Sequence, residues 1–117
     1  MATLLPANVK CTAEECHRTV EMAHSLHPIL GDPSAVADRA RVFQAMGSET
    51  RLQILGLLSV REMCVCNLVA ALGTAASTLA HHLRMLEDAG LITARRDGKF
   101  TLYALNEAPL QRHRALE

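Results

Sequence analysis

Apolar residues recur at intervals of three and four along most of the chain and give way to strand-like runs only near its C-terminal end. Between residues 34 and 46, Val36, Ala40, Phe43 and Met46 form one stripe at helical spacing. Ser34 or Asp32 stands near its start and Gly47 at its end, with Ser48 placed to cap the next helix. That helix carries Glu49 in its first turn, runs to about Leu58, and turns Leu52, Leu55 and Leu58, with Ile54 beside them, to the core. Cys64 to Leu72 predicts a short helix, Gly73 the turn, and Thr74 to Ala89 a longer helix with Leu79, Leu83 and Leu86 as its inner stripe. Gly90 ends it. The segment from Leu91 to Tyr103 then reads as two strands about Asp97-Gly98, a strong hairpin signal. A hairpin directly after a helix-turn-helix is a wing, so the predicted fold is mainly α with a β-hairpin wing, a winged helix-turn-helix.

The flanks are less patterned. Residues 1–10 read as a loose arm, and 11–27 as a short amphipathic helix ended by Pro28. Gly31-Asp32-Pro33 is a loop, and the tail from 104 onward forms a helix from about Pro109. The organisation expected is an N-terminal arm and helix over 1–33, followed by the winged helix-turn-helix with its means of dimerisation over 34–117.

Composition sharpens this picture in a few places. A chain of 117 residues is one domain with a modest core, which burial in a homodimer would enlarge. Half of the residues are hydrophobic but only 3% are aromatic, so the core is built from Leu, Ala, Val, Met and Ile and suits packed helices. No apolar run is long enough to span a membrane, and the first ten residues do not read as a signal peptide. A cytoplasmic protein with reduced cysteines is expected. Enzyme readings find no glycine-rich phosphate loop, no H-E-x-x-H and no paired carboxylates beside a base.

The formal net charge is zero, which by itself argues against nucleic acid. A local basic patch can still grip phosphate while acids elsewhere cancel the sum, and Arg95, Arg96 and Lys99 gather on the wing with Asp97 as the one acid among them. Reading a major groove needs short polar side chains and donors at the exposed start of a helix. Ser77, Thr78 and His81 meet that need, and Arg84 reaches a phosphate or a base. Ala75 and Ala76 offer only methyl contacts there, so readout at those positions is apolar or left to DNA shape. Double-stranded DNA is the expected partner; the competing reading is a solvated helix face in a protein-interaction module.

Cys64 and Cys66 flank Val65 at a helix start, where exposed N–H groups favour thiolate. Cys11 and Cys16 form a second pair near the N-terminus. Two pairs suggest a four-thiolate site closed when the arm folds over the helix-turn-helix. Thiolates select Zn, Cd, Pb or Cu(I), and trivalent arsenic. The plainer alternative is that these cysteines are small buried hydrophobes. His17, His24 and His27 on one helix are a rival ligand group, and a thiol-redox regulator using disulfides is a further alternative.

Taken together, FQAMGSETRLQILGLL and EMCVCNLVAALGTAASTLAHHLRMLEDAGLITARRDGKFTLYAL, within residues 43–105, resemble the ArsR/SmtB family of metal-responsive repressors. The resemblance implies a homodimer on an inverted-repeat operator, released when metal binds. The C-V-C pair resembles the thiolate site of the cadmium, lead and arsenic sensors, where cysteines of the N-terminal arm complete the cadmium and lead site; Cys11 and Cys16 match that part. Val69 stands where arsenite sensors with C-V-C-x-x-C have a third cysteine, and Asn67 replaces the usual aspartate. Only His113 and Glu117 remain in the tail for the zinc site of the C-terminal helix, which implies that this site is absent. Ala75 and Ala76 replace a polar pair common in the family, so the operator sequence is expected to differ.

Overall fold

A computed structural model describes residues 12–112, and its contacts divide the chain after Val36 into two compact units. The first holds α1 (Ala13–Leu26), a 3-10 turn (Pro28–Gly31) and the start of α2 (Pro33–Met46). Helix α1 begins two residues beyond the expected start because Thr12 caps it: Thr12 Oγ1 accepts from the Glu15 N–H at 3.2 Å, and Glu15 Oε2 accepts from the Thr12 N–H at 3.0 Å. Of the two capping candidates for α2, Asp32 serves, its Oδ1 accepting from the Ala35 N–H at 3.2 Å. Pro33 occupies the first helical position, where a missing N–H costs nothing.

The second unit contains the rest of α2, then α3 (Glu49–Leu58), β1 (Met63–Cys64), α4 (Val65–Leu72), α5 (Ala76–Asp88), β2 (Ile92–Asp97), β3 (Phe100–Leu105) and α6 (Glu107–Arg112). Its core joins Ile54, Leu55 and Leu58 of α3, Leu68 of α4, the α5 stripe Leu79, Leu83 and Leu86, and Leu91 and Ile92 entering β2. Fully burying each of these side chains contributes about 1.5–3 kcal/mol.

The α2 stripe turns by about one residue, and the α3 stripe keeps Ile54, Leu55 and Leu58 inside but loses Leu52. Helix α2 buries Val42 and Ala45 rather than Ala40 and Phe43, and Phe43 is 43% exposed. Small side chains at 42 and 45 put the helix backbone against the core, and a phenylalanine at 43 then points sideways. On α3, Leu52 is 50% exposed while Ile54 is completely buried. Both stretches are apolar on more than one face, so periodicity alone leaves the inner face undetermined.

The hairpin forms as read, with Gly98 at φ 62° in the turn and register Arg95↔Leu102 and Arg96↔Thr101. A strand absent from the sequence reading joins it. Met63 and Cys64 pair with Tyr103 and Leu102, giving an antiparallel sheet of order β1-β3-β2. Cys64 therefore ends a strand and caps α4, instead of opening the helix. Gly73, at φ 67°, makes the turn between α4 and α5, and α5 starts at Ala76 rather than Thr74. Helix α6 begins two residues ahead of Pro109, which sits in its first turn.

Leu83→Ala is expected to lower unfolding stability by about 2–5 kcal/mol, since it empties volume at the centre of the core. Val60→Ala, at a residue 80% exposed, is expected to stay within about 0.5 kcal/mol. Urea unfolding of both variants checks the pair.

Candidate nucleic-acid interface and thiol pair

Helix α5 is amphipathic in a way that sorts its residues by role. With Leu79, Leu83 and Leu86 buried, the opposite stripe carries Ser77, His81 and Arg84 at spacings of four and three, with Thr78 beside it, and all four are exposed. Ala75 is the N-cap and offers no side-chain acceptor, so no side chain covers the N–H groups of the first turn. A polar stripe, a cationic residue at its far end and an open helix start are the features with which a helix addresses base edges and phosphates.

On the wing, Arg95, Arg96 and Lys99 are exposed. They are not equivalent. Arg95 donates from Nε to Glu62 Oε2 at 2.8 Å and from Nη2 to Glu62 Oε1 at 3.0 Å. The hydrogen bonds from Arg95 hold the Glu62 carboxyl below the usual carboxylate range, and the same bonds raise the Arg95 pKa. Among the described residues, Arg96 and Lys99 make no ion pair.

Behind this exposed face lies a junction that sequence reasoning missed. Arg51, on α3, donates from Nε to the Ala45 carbonyl at the end of α2, and its Nη1 lies 3.2 Å from His82 Nδ1 and 3.3 Å from Met85 Sδ. A guanidinium can only donate, so His82 Nδ1 accepts and the ring is neutral with its proton on Nε2. Burial lowers the His82 pKa, and the positive charges of Arg51 and His81 lower it further. The available signal was Arg51 itself, a charge inside an otherwise core-forming helix. His82 packs toward the neighbouring helix, while His81 stays on the exposed face.

The thiols fall into two settings. Cys64 is half-buried; its thiol donates to Asn67 Oδ1 at 3.2 Å, and its backbone N–H donates to the same oxygen at 3.3 Å. Cys66 is exposed, and both are free. Cys16, on the first turn of α1, is disulfide-bonded, which departs from the expectation of four reduced cysteines. Cys11 lies outside the described residues, as do His113 and Glu117. His17 faces Glu21 at 3.1 Å. Among the described residues no group of three or more His, Cys, Asp or Glu is assembled for a metal. The donors at Cys64 and Cys66 fit a soft cation in kind, two thiols without a carboxylate cluster, and a full set needs further ligands. No described helix is long and apolar enough to cross a membrane.

Residues 48–94 match the family model described as "Bacterial regulatory protein, arsR family". The chain is 37% identical over 71 residues to a Staphylococcus aureus "Cadmium resistance transcriptional regulatory protein CadC homolog", covering 60% of this chain and 59% of that one. It is 35% identical over 95 residues to a Halobacterium salinarum protein named for the arsenical resistance operon repressor ArsR, covering 80% of this chain and 73% of the relative. The solution structure of a homodimeric winged helix-turn-helix DNA-binding domain from Mycobacterium bovis superposes with a TM-score of 0.62 at 33% identity, over 70% of this chain and 78% of that one.

The His82 environment has a pH signature. Its folded pKa lies below its unfolded value near 6.5, so the unfolded chain binds the proton more readily. The stabilisation is complete above about pH 6.5 and is lost as pH falls from there through the lower folded pKa. Urea midpoints between pH 7.5 and 5 are expected to fall more steeply for the wild type than for His82→Gln. Parallel curves would mean that His82 takes no part.

Proposed function

The chain belongs to the ArsR family of bacterial regulatory proteins, DNA-binding transcription regulators with the winged helix-turn-helix fold, and we propose that it is a repressor that binds operator DNA as a homodimer and lets go when cysteine thiolates hold a soft metal ion. The observation that carries this reading is the position of Cys64. It pairs with Leu102 of wing strand β3 and caps α4, which packs on α5. A thiol at that corner is joined to the wing through β1 and to α5 through α4.

In the DNA-competent form, Ser77, Thr78 and His81 meet base edges from α5, and Arg84 meets a phosphate or a base. Arg96 and Lys99 meet flanking phosphates from the wing. The Leu79, Leu83 and Leu86 stripe holds α5 in place, and Arg51 braces its far side through His82. Arg95 belongs to the same surface, with its donors on Glu62.

Cys64 and Cys66 are the proposed indispensable ligands, with Cys11 and Cys16 as helpers once Cys16 is reduced. When bound, a thiophilic cation (Cd, Pb or Zn, with trivalent arsenic as the alternative) supplies a cross-link between thiolates. On losing its proton for ligation, Cys64 loses the S–H bond to Asn67 Oδ1. The cap of α4 is then left with the Cys64 backbone N–H bond to that oxygen, and α4 is the helix that packs on α5. The names of the cadmium-resistance and arsenical-resistance relatives support this class of inducer. Exposed Val20, Met22 and Leu26 on α1 support a second copy as the covering partner.

One observation favours a second reading, thiol-redox control: Cys16 stands in a disulfide while Cys64 and Cys66 are free. Operator release by a mild oxidant without metal, reversed by dithiothreitol, would select it.

Cys64→Ser and Cys66→Ser are expected to keep metal-free DNA binding and to lose metal-driven release, a coupling of about 1–3 kcal/mol. Titrating each with Cd, Pb, Zn and arsenite, following thiolate charge-transfer absorption and DNA anisotropy together, is the test. Release at the wild-type metal concentration would place the sensing site elsewhere.

Changes at Ser77, Thr78 or His81 are expected to alter preference between duplex sequences by about 1–3 kcal/mol per good contact. Arg96→Ala and Lys99→Ala are expected to weaken all duplexes alike. Binding to pools of randomised duplexes separates the two patterns, and equal losses on every sequence for the α5 changes would remove base readout from that helix.

A further inference from the structure

Glu62 lies outside every set of residues assigned above. It is exposed, leads into β1, and closes both carboxylate oxygens on the Arg95 guanidinium. Arg95 uses the same fork of donors to hold a carboxylate that it would use to hold a phosphate. It cannot give one pair of N–H groups to both. The partners are 33 residues apart in sequence and are joined by the sheet. Strand β3 sets Leu102 between Cys64 on one side and Arg95 on the other. The third strand thus brings an acid to a wing that reads, in sequence, as basic.

We propose that Glu62 is an internal stand-in for a DNA phosphate, which competes for Arg95 and weakens its part in the sequence-independent grip of the wing. The proposal rests on the DNA-binding reading and is independent of metal sensing. Arg95 and Glu62 together present a nearly neutral edge to a polyanion. Arg96 and Lys99 supply the wing's free positive charge. An exposed ion pair is weak on its own, so Glu62 limits how readily Arg95 engages phosphate without locking it away. Its residual negative charge also opposes a backbone that approaches the same edge. Basic residues in a DNA-binding face raise affinity for every duplex equally, and a carboxylate that neutralises one of them lowers that common background.

The test is a double-mutant cycle on the full chain with a random-sequence 30-base-pair duplex, metal-free and under reductant, between 50 and 200 mM salt. Glu62→Gln is expected to bind more tightly than wild type and to steepen the salt dependence by about 0.9 in slope for each wing engaged, so that its advantage shrinks about three- to fourfold per wing across that range. Arg95→Gln is expected to weaken wild-type binding modestly, because it leaves the Glu62 carboxylate unpaired, and to cost more in the Glu62→Gln background, where it abolishes the gain. Equal losses from Arg95→Gln in both backgrounds would overturn the proposal, because Arg95 would already be on phosphate. Weaker or unchanged binding by Glu62→Gln would overturn it too, the weaker case making Glu62 a support that aims Arg95 at DNA. Melting curves on each variant separate these outcomes from loss of fold. A wild type that binds no duplex at 50 mM salt would fail the DNA-binding reading itself and take the proposal with it.

Discussion

Leu79, Leu83 and Leu86 are almost wholly removed from solvent, at 0%, 2% and 0% exposure, and the outer face of α5, the proposed DNA-binding surface, depends on that burial. A helix with a buried stripe has no freedom to choose its outer face. Once those three leucines meet α3, α4 and the start of β2, Ser77, His81 and Arg84 must project outward. The same constraint places His82 at the flank, where Arg51 reaches it from α3. A charged group sits so close to the core because its donors are met by a carbonyl, an imidazole and a thioether. The polar outer face and its polar brace thus both follow from one apolar contact.

The second organising feature is the short strand β1. Two residues of ladder place Cys64 in the wing sheet and, immediately afterwards, at the cap of α4. Strand, thiol and helix start are contiguous, so Cys64 is joined to the wing through backbone hydrogen bonds and to α5 through α4. Arg95 stands in the same cross-strand row as Cys64, two strand spacings away, about 10 Å. Cys64 and Arg95 therefore share one row of the sheet although the chain separates them by most of the helix-turn-helix.

Much of this was legible in the chain. The leucine stripe of α5, the Asp-Gly turn, the glycine between α4 and α5 and the Ser48 cap are local signals, each satisfied by residues within a turn or two of itself, and they determined the winged helix-turn-helix and which face of α5 looks outward. Local signals also located Cys64 and Cys66 at a helix start. What they left open were matters of long-range contact. Which face of α2 is inner, and the exclusion of Leu52 from the α3 stripe, were decided by packing, because both helices carry apolar residues on several sides, and Phe43 was likewise left outside. A two-residue strand has no pattern of its own, so β1 exists only because β3 presents an edge to it. The state of Arg95 was decided in the same way. In the sequence it is one cation in a basic run; in the fold it faces a carboxylate 33 residues away, since an ion pair depends on distance in space and side-chain spacing along the chain carries no information about partners brought together by a sheet.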